Sequence, residues 1–252
     1  MIKEIVSAAL ASFGLQLTRT HSTVPIEFGS ADVRLLNDVI TNELTMVSSQ
    51  RLWNTFLACR YVVEQQILGD FVECGVWRGG NAILAAQVFR SSQARRGIWL
   101  FDTFAGMTEP TAADFKIRTG KKALPQFLKS RRGAISQWCF ASLDDVKAQF
   151  AVRGLLSPEI RFVEGDVMST LSDPSNLPEQ IAVLRLDTDW YESTKQELEM
   201  LYPRLSSGGV LIIDDYGSWS GCRLAVDEYF STLEQRPFMQ IIDLAGRCAI
   251  KP

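Results

Sequence analysis

The sequence predicts an α/β fold built on a mostly parallel sheet with an antiparallel final strand. Three observations carry that prediction. Apolar runs at 71–74, 97–101, 160–163, 181–186 and 209–213 recur with helical periodicity between them. Several of these runs stop at acidic residues: Asp102, Asp166, Asp187 with Asp189, and Asp214 with Asp215. In a parallel arrangement such stops meet at one C-terminal edge, where open α/β sheets keep their ligands. Finally, the segments 239–242 and 248–250 lie too close together for a parallel crossover, so a hairpin joins them.

Taken in order, residues 1–12 predict a helix, followed by a polar connection through His21 and Pro25. Residues 32–45 and 49–67 predict two more helices. Leu52, Phe56, Cys59, Val63 and Ile67 share one face of the second. The first 68 residues thus read as an N-terminal helical extension and 69–252 as the ligand-binding domain. Strand 71–74 feeds a helix over 79–90, and strand 97–101 follows. Residues 104–140 break the alternation with Gly106, Pro110, Gly120, Pro125 and Gly133. A long insertion of this kind reads as a lid or binding loop, here with a short helix near 122–130. Ser142 and Asp145 form a capping-box pattern for a helix running toward Arg153. Strand 160–163, a loop marked by Pro174 and Pro178, strand 181–186, a helix over 192–205, strand 209–213 and a helix over 223–233 complete the series. The chain is too short for eight βα units, which argues against a barrel.

The 252 residues are 46% hydrophobic and 22% charged, enough to fill a sizeable core. A net charge of -3 disfavours nucleic acid as a partner. The positive charge is concentrated, however: Lys116, Arg118, Lys121, Lys122, Lys129, Arg131 and Arg132 fall within 17 residues. This insertion reads either as a recognition surface for an anionic acceptor or as a solvated face. Five scattered cysteines and a single histidine argue against structural zinc. The odd cysteine count and lack of a secretory leader indicate a reducing, cytoplasmic compartment. The stretch from Ile5 to Leu17 is too short to span a bilayer and is interrupted by Ser7, Ser12 and Gln16. It reads as a packing or dimer helix rather than a membrane insertion.

The first strand leads into a turn containing Gly75, Gly79 and Gly80 at a helix N-terminus. Such a turn suits a phosphate or carboxylate, and equally a plain strand-to-helix connection. Glu73, at the inner end of that strand, is costly to bury without a partner. Asp102 reads as an acceptor for ribose hydroxyls or as a turn cap, and Asp166 as a ligand contact or a solvent-facing turn residue. Asp187, Asp189, Asp214 and Asp215 make an oxygen-rich site suited to magnesium or calcium, or else cap neighbouring structure. Arg185, flanked by Leu184 and Leu186, faces away from both and is expected to pair with an acidic residue of a covering helix or to support the site. Trp190, Tyr191 and Trp219 flank the acidic stops, either stacking on a bound ligand or sealing the strand ends.

Five ordered blocks, covering the chain from about residue 47 onward, resemble the macrocin O-methyltransferase family of S-adenosylmethionine-dependent sugar O-methyltransferases. They are Phe71-Val-Glu-Cys-Gly-Val-Trp-Arg-Gly-Gly80, Phe101-Asp-Thr-Phe-Ala-Gly-Met107, Leu184-Arg-Leu-Asp-Thr-Asp-Trp-Tyr-Glu-Ser-Thr194, Gly208-Gly-Val-Leu-Ile-Ile-Asp-Asp-Tyr216 and Ala225-Val-Asp-Glu-Tyr-Phe230. The resemblance implies a Rossmann-like class I methyltransferase sheet with N-terminal helices and a lid insertion. It implies that Glu73, Gly75 and Gly79 bind the methionine end of S-adenosylmethionine, that Asp102 holds the ribose and that Asp166 lies near the adenine. It implies magnesium on Asp187, Asp214 and Asp215, with Asp189 as a neighbouring participant. Asp187 and Asp189 are then the expected catalytic pair, and the acceptor is a sugar hydroxyl of a glycosylated natural product or glycan precursor. The resemblance also implies a homo-oligomer, with the N-terminal helices in the contact. Related enzymes draw a candidate base from a histidine before the third strand. This chain has none there, so the role falls to Asp189 or an insertion carboxylate. The competing readings are an inactive S-adenosylmethionine-binding homologue and a nucleotide-sugar oxidoreductase. The latter is weakened by the glycine spacing and the lack of a suitably placed tyrosine–lysine pair.

Overall fold

The computed structural model describes residues 24–252. The helix expected over 1–12, the apolar stretch from Ile5 to Leu17 and His21 lie outside the described residues. By its internal contacts the chain divides at Arg34/Leu35, within helix α1 (Ser30–Thr41). The unit from Leu35 to Pro252 holds helix α2 (Ser49–Glu64) together with the entire sheet. That division differs from the boundary read at 68/69. Its physical basis is that α2 buries Leu52, Phe56, Cys59 and Val62, so it belongs to the core of the sheet's unit.

The sheet contains strands β1 (Asp70–Cys74), β2 (Ile98–Asp102), β5 (Ile160–Glu164), β6 (Ile181–Leu186), β7 (Leu205–Ile213), β8 (Met239–Ile241) and β9 (Arg247–Ile250). A separate two-stranded ribbon, β3 (Arg131–Arg132) and β4 (Ile135–Ser136), lies in the insertion. The order across the main sheet is β5-β2-β1-β6-β7-β9-β8. The pairings from β5 to β7 are parallel, and β9 runs antiparallel to both β7 and β8. The expected hairpin therefore forms, with its second strand inserted beside β7. The chain builds outward in one direction through β2 and in the other through β6. The crevice between the C-terminal ends of β1 and β6 is thus the topological switch point.

Continuous apolar runs produce the central strands because helices cover both faces of a parallel sheet. All six residues of β6 are buried, Arg185 included. Helices α3 (Gly80–Ser91), α5 (Leu143–Ala151), α6 (Val167–Thr170), α7 (Tyr191–Leu201) and α8 (Ser220–Ser231) make the connections. Ser142 caps α5 through the Asp145 N–H, as its spacing predicts. Boundaries shift by up to four residues from the sequence reading, α1 ending at Thr41 rather than 45, α2 at Glu64 rather than 67 and α8 starting at Ser220 rather than 223, and two further shifts have a local cause. The helix expected to reach residue 205 ends at Leu201 and tightens into a 3₁₀ turn over Tyr202–Arg204, where Pro203 removes a donor. The following strand consequently begins at Leu205, which pairs with Ile181, four residues earlier than its apolar run.

The insertion is folded. Helix α4 (Leu124–Ser130) occupies the position expected near 122–130, and a turn over residues 115–122 docks onto the loop after β7. Among the described residues, no helix is long and apolar enough to cross a membrane.

Candidate active site

At the switch point the sheet edge opens into a cavity of about 290 Å³. Gly75, Asp102, Asp166, Asp187, Asp189, Asp214 and Asp215 all line it. Glu73 and Gly79, also expected there, do not. Gly79 has a left-handed backbone (φ 84°) and stands at the N-cap of α3, and a Cβ there would meet Val146 and Phe150 of α5 at 3.2 and 3.3 Å. Its lack of a side chain serves helix packing. Gly75 is also left-handed (φ 83°), and a Cβ there would lie 2.0 Å from the Asp187 carbonyl oxygen. The turn after β1 and the turn after β6 therefore touch through their backbones, an approach only glycine permits.

Glu73 lies beneath the cavity floor in a buried ion network centred on Arg185. The Arg185 guanidinium donates to Glu73 Oε1 at 2.8 Å, Asp187 Oδ2 at 2.8 Å and Asp214 Oδ1 at 2.5 Å. Its partners are strand-end carboxylates of β1, β6 and β7 rather than an acidic residue of a covering helix, so of its two readings the supporting one matches the geometry. The reason is register: Arg185 is the Cα partner of Glu73 on one side and of Ile212 on the other, so it stands directly behind the acidic edge. The surrounding carboxylates keep Arg185 charged despite its burial. Burial pushes Glu73 up to about 7, against the pull of Arg185, and its second oxygen Oε2 has no partner.

Asp214 also accepts from Arg51, and Arg51 reaches Asp243 at 3.0 Å. Neither Arg51 nor Asp243 was legible as a site residue. Arg51 sits in the first turn of α2, and Asp243 lies in the β8–β9 hairpin, whose turn its side chain shapes by accepting from Ala245 and Gly246 N–H groups. The tight Asp-Leu-Ala-Gly turn was the one local signal available for Asp243. Burial raises the Asp243 pKa, but bonds from Ser48, Gly246 and Ala245 and the Arg51 charge outweigh it and hold the group down to about 2. A depressed folded-state value stabilises above the unfolded pKa of about 3.9 and is lost as pH falls through about 2. D243N should therefore cost about 1–2 kcal/mol in urea unfolding at pH 7, with the difference shrinking between about pH 4 and pH 2. An equal cost at both extremes would rule out the ionised carboxylate as its source.

Asp187, Asp214 and Asp215 can each place one oxygen within 4.8 Å of the others. Asp189 adjoins them with a left-handed backbone (φ 69°), an uncommon conformation for a non-glycine residue. It is held by a bond from Trp190 N–H to the Thr188 carbonyl and by Thr188 Oγ1, which contacts buried Glu197 and Ser193 at 2.8 Å each. Burial is the main force raising the Asp187, Asp189 and Asp215 pKa values, and mutual repulsion adds to it. Asp189 is lifted to about 7, while Arg185 partly opposes the shift of Asp187. Five carboxylates (Glu73, Asp187, Asp189, Asp214 and Asp215) thus share two guanidiniums. Asp214 and Asp215 do not cap α8, because a turn over 216–219 intervenes and the Asp215 carbonyl accepts from Ser218 and Trp219.

At the other end of the cavity, Asp102 Oδ2 accepts from Val76 and Trp77 N–H at 2.7 and 3.0 Å, and Oδ1 accepts from Phe104 N–H at 2.8 Å. It ties the β1 turn to the β2 turn, the cap reading of this residue. Burial raises its pKa, and these N–H groups oppose the shift. Asp166 caps α6 through Met168 N–H while still lining the cavity. Trp138 of the insertion, Trp190 and Trp219 form a mutually contacting triad with centroids 4.9–5.9 Å apart. Trp190 is sealed inside, its indole N–H bonded to Thr108, whereas Trp138 and Trp219 line the cavity. Tyr191 points to Glu228 instead. Asp114, an insertion residue that sequence reading passed over, accepts from the Tyr191 N–H at the start of α7 and so braces the turn carrying Asp187 and Asp189.

Comparison with known proteins accords with this geometry. A chain region of 201 residues is 39% identical to the 8-demethyl-8-(2,3-dimethoxy-alpha-L-rhamnosyl)-tetracenomycin-C 4'-O-methyltransferase of Streptomyces olivaceus, covering 79% of this chain and 72% of that one. Mycinamicin III 3''-O-methyltransferase of Micromonospora griseorubida is 36% identical over 73% of this chain and 69% of its own. The solved structure of the O-methyltransferase NovP superposes with a TM-score of 0.71 at 33% identity, covering 82% of this chain and 81% of that one. The family model for macrocin-O-methyltransferase (TylF) matches residues 10–248. An α/β sheet with its acidic edge at the switch point, and sequence relatives that are O-methyltransferases, place the chain in one family: it belongs to the macrocin-O-methyltransferase family and is an O-methyltransferase.

Proposed function

We propose that the chain transfers a methyl group from S-adenosylmethionine to a sugar hydroxyl, with magnesium at the acidic edge. One observation carries the reading: Asp187, Asp214 and Asp215 converge within 4.8 Å in the same cavity as Gly75, Asp102 and Asp166. The donor set fits the cation, since it is all hard carboxylate oxygen and carries more negative charge than Arg51 and Arg185 offset. The name of one relative, whose substrate carries a dimethoxy-rhamnosyl group, supports a sugar acceptor.

When bound, magnesium supplies Lewis acidity toward an acceptor hydroxyl, and S-adenosylmethionine supplies the activated methyl group. Asp187, Asp214 and Asp215 would hold the cation, and Arg185 orients the first two from behind. Asp102 and Asp166 would face the ribose and adenine, with Gly75 allowing close backbone approach to the methionine end. Asp189, which lines the same cavity outside the proposed metal set, would accept the hydroxyl proton. This fills the place of the absent histidine. Trp138 and Trp219 shield the reacting atoms from water.

Calorimetry with S-adenosylhomocysteine, with and without magnesium and against NAD, tests the reading. Binding of S-adenosylhomocysteine but not NAD, together with magnesium-stimulated transfer to a rhamnoside, is expected. No binding of S-adenosylhomocysteine would overturn it.

A further inference from the structure

Two cations line the cavity, Arg51 and Lys116. Arg51 is committed to Asp214 and Asp243. Among the described residues, no carboxylate pairs with Lys116, although the cavity it lines is the most acidic place in the fold. Its charge is therefore free to meet a ligand.

The position of that charge is built. Lys116 N–H donates to the Lys121 carbonyl at 2.9 Å, and Gly120 N–H returns to the Lys116 carbonyl at 2.8 Å, closing a tight turn. Ile117 N–H bonds Ser218 and Ser220 N–H bonds Phe115, which fasten the turn to the loop after β7. The Lys116 ammonium sits 5.5 Å from the Trp219 ring centroid, and Trp219 N–H in turn bonds the Asp215 carbonyl. The cation thus stands one chain turn from the acidic edge, over an aromatic wall of the same cavity. Arg118, Lys121 and Lys122 follow it in the same exposed turn, so residues 116–122 carry four cations and no carboxylate. So many cations match a multiply charged phosphate better than a single carboxylate.

Resting on the sugar methyltransferase reading, we infer that the acceptor is a phosphorylated sugar, with its phosphate on the Lys116 turn while a ring hydroxyl faces Asp189. The transfer balances without a further reactant. The hydroxyl oxygen gains the methyl carbon, the sulfonium–methyl bond breaks to leave S-adenosylhomocysteine, and the hydroxyl proton passes to Asp189. The phosphate takes no part in the chemistry and sets recognition only.

The test titrates three probes into enzyme loaded with S-adenosylhomocysteine and magnesium: a hexose 1-phosphate, a nucleoside-diphosphate hexose and the neutral methyl hexoside. The two phosphorylated probes should bind at least tenfold more tightly than the neutral one. The advantage should fall as salt rises. K116Q should bring all three within about threefold of one another, and K116R should restore most of the preference. The tighter of the two phosphorylated probes identifies the source of the phosphate. Equal binding of neutral and phosphorylated probes by the unmodified protein, or a preference that survives K116Q, overturns the inference. Loading with S-adenosylhomocysteine is measured first on the same samples, so failure of the methyltransferase reading registers separately. Lys116 is exposed, and a thermal melt confirms that each variant folds.

Discussion

R185M should cost about 3–5 kcal/mol in urea unfolding, the range for removing one partner of a buried ion cluster. That is a large share of a typical stability of about 5–15 kcal/mol. The loss arises from what is left behind. Glu73 remains 1% exposed with its ion-pair partner gone and one oxygen already unpartnered, while Asp214, 3% exposed, keeps Arg51 alone. Adding E73Q to R185M should therefore recover part of the loss, because it removes an orphaned charge. Adding a substitution at a distant surface carboxylate should recover none. A cost below about 1 kcal/mol for R185M would mean that water or rearrangement replaces the network, and that Arg185 does not set the carboxylate geometry.

D215N should lower methyl transfer by about 10²–10³-fold, the equivalent of several kcal/mol of Lewis-acid assistance at about 1.36 kcal/mol per tenfold. Binding of S-adenosylhomocysteine should persist, since Asp215 follows β7 on one side of β1 while Asp102 ends β2 and Asp166 follows β5 on the other. Asp215 is the cleaner probe of the three proposed metal carboxylates. Asp187 and Asp214 also pair with Arg185, so their substitution mixes activity with stability. Chelation of divalent cations should reproduce the D215N rate in the unmodified enzyme and change the variant little. If D215N turns over normally, or if chelation lowers both rates in proportion, the proposed role of Asp215 fails.

Much of the sheet was legible because its signals are local. Apolar runs and acidic stops marked β1, β2, β5 and β6 to within a residue, and the short span before β9 dictated the hairpin. The start of β7 was not legible: Ser206-Ser-Gly-Gly209 has a loop composition, and its strand pairing comes from the neighbour β6. The site divided in the same way. Residues at strand ends were found because the topology gathers them at one edge. Arg51, Asp243 and Asp114 come from a helix start, a hairpin and an insertion, and only the tertiary fold brings them in. Arg185 was half legible. Its place between two leucines left a covering-helix partner and a supporting role both open, and register decides for the strand-end acids. Glu73 and Gly79 show the converse, since their position after or within β1 suggested ligand contact while their side-chain positions lie in ion pairing and helix packing.

The contact between Gly75 and the Asp187 carbonyl has a consequence for tolerance to change. The separation between the turn proposed to hold the methyl donor and the turn proposed to hold the acceptor is gauged by two main chains in touch, with no side chain as a spacer. Side chains around the cavity can be exchanged to admit a new acceptor without altering that gauge. A lineage could therefore change what it methylates by redecorating the insertion while inheriting the reach of the transfer unchanged.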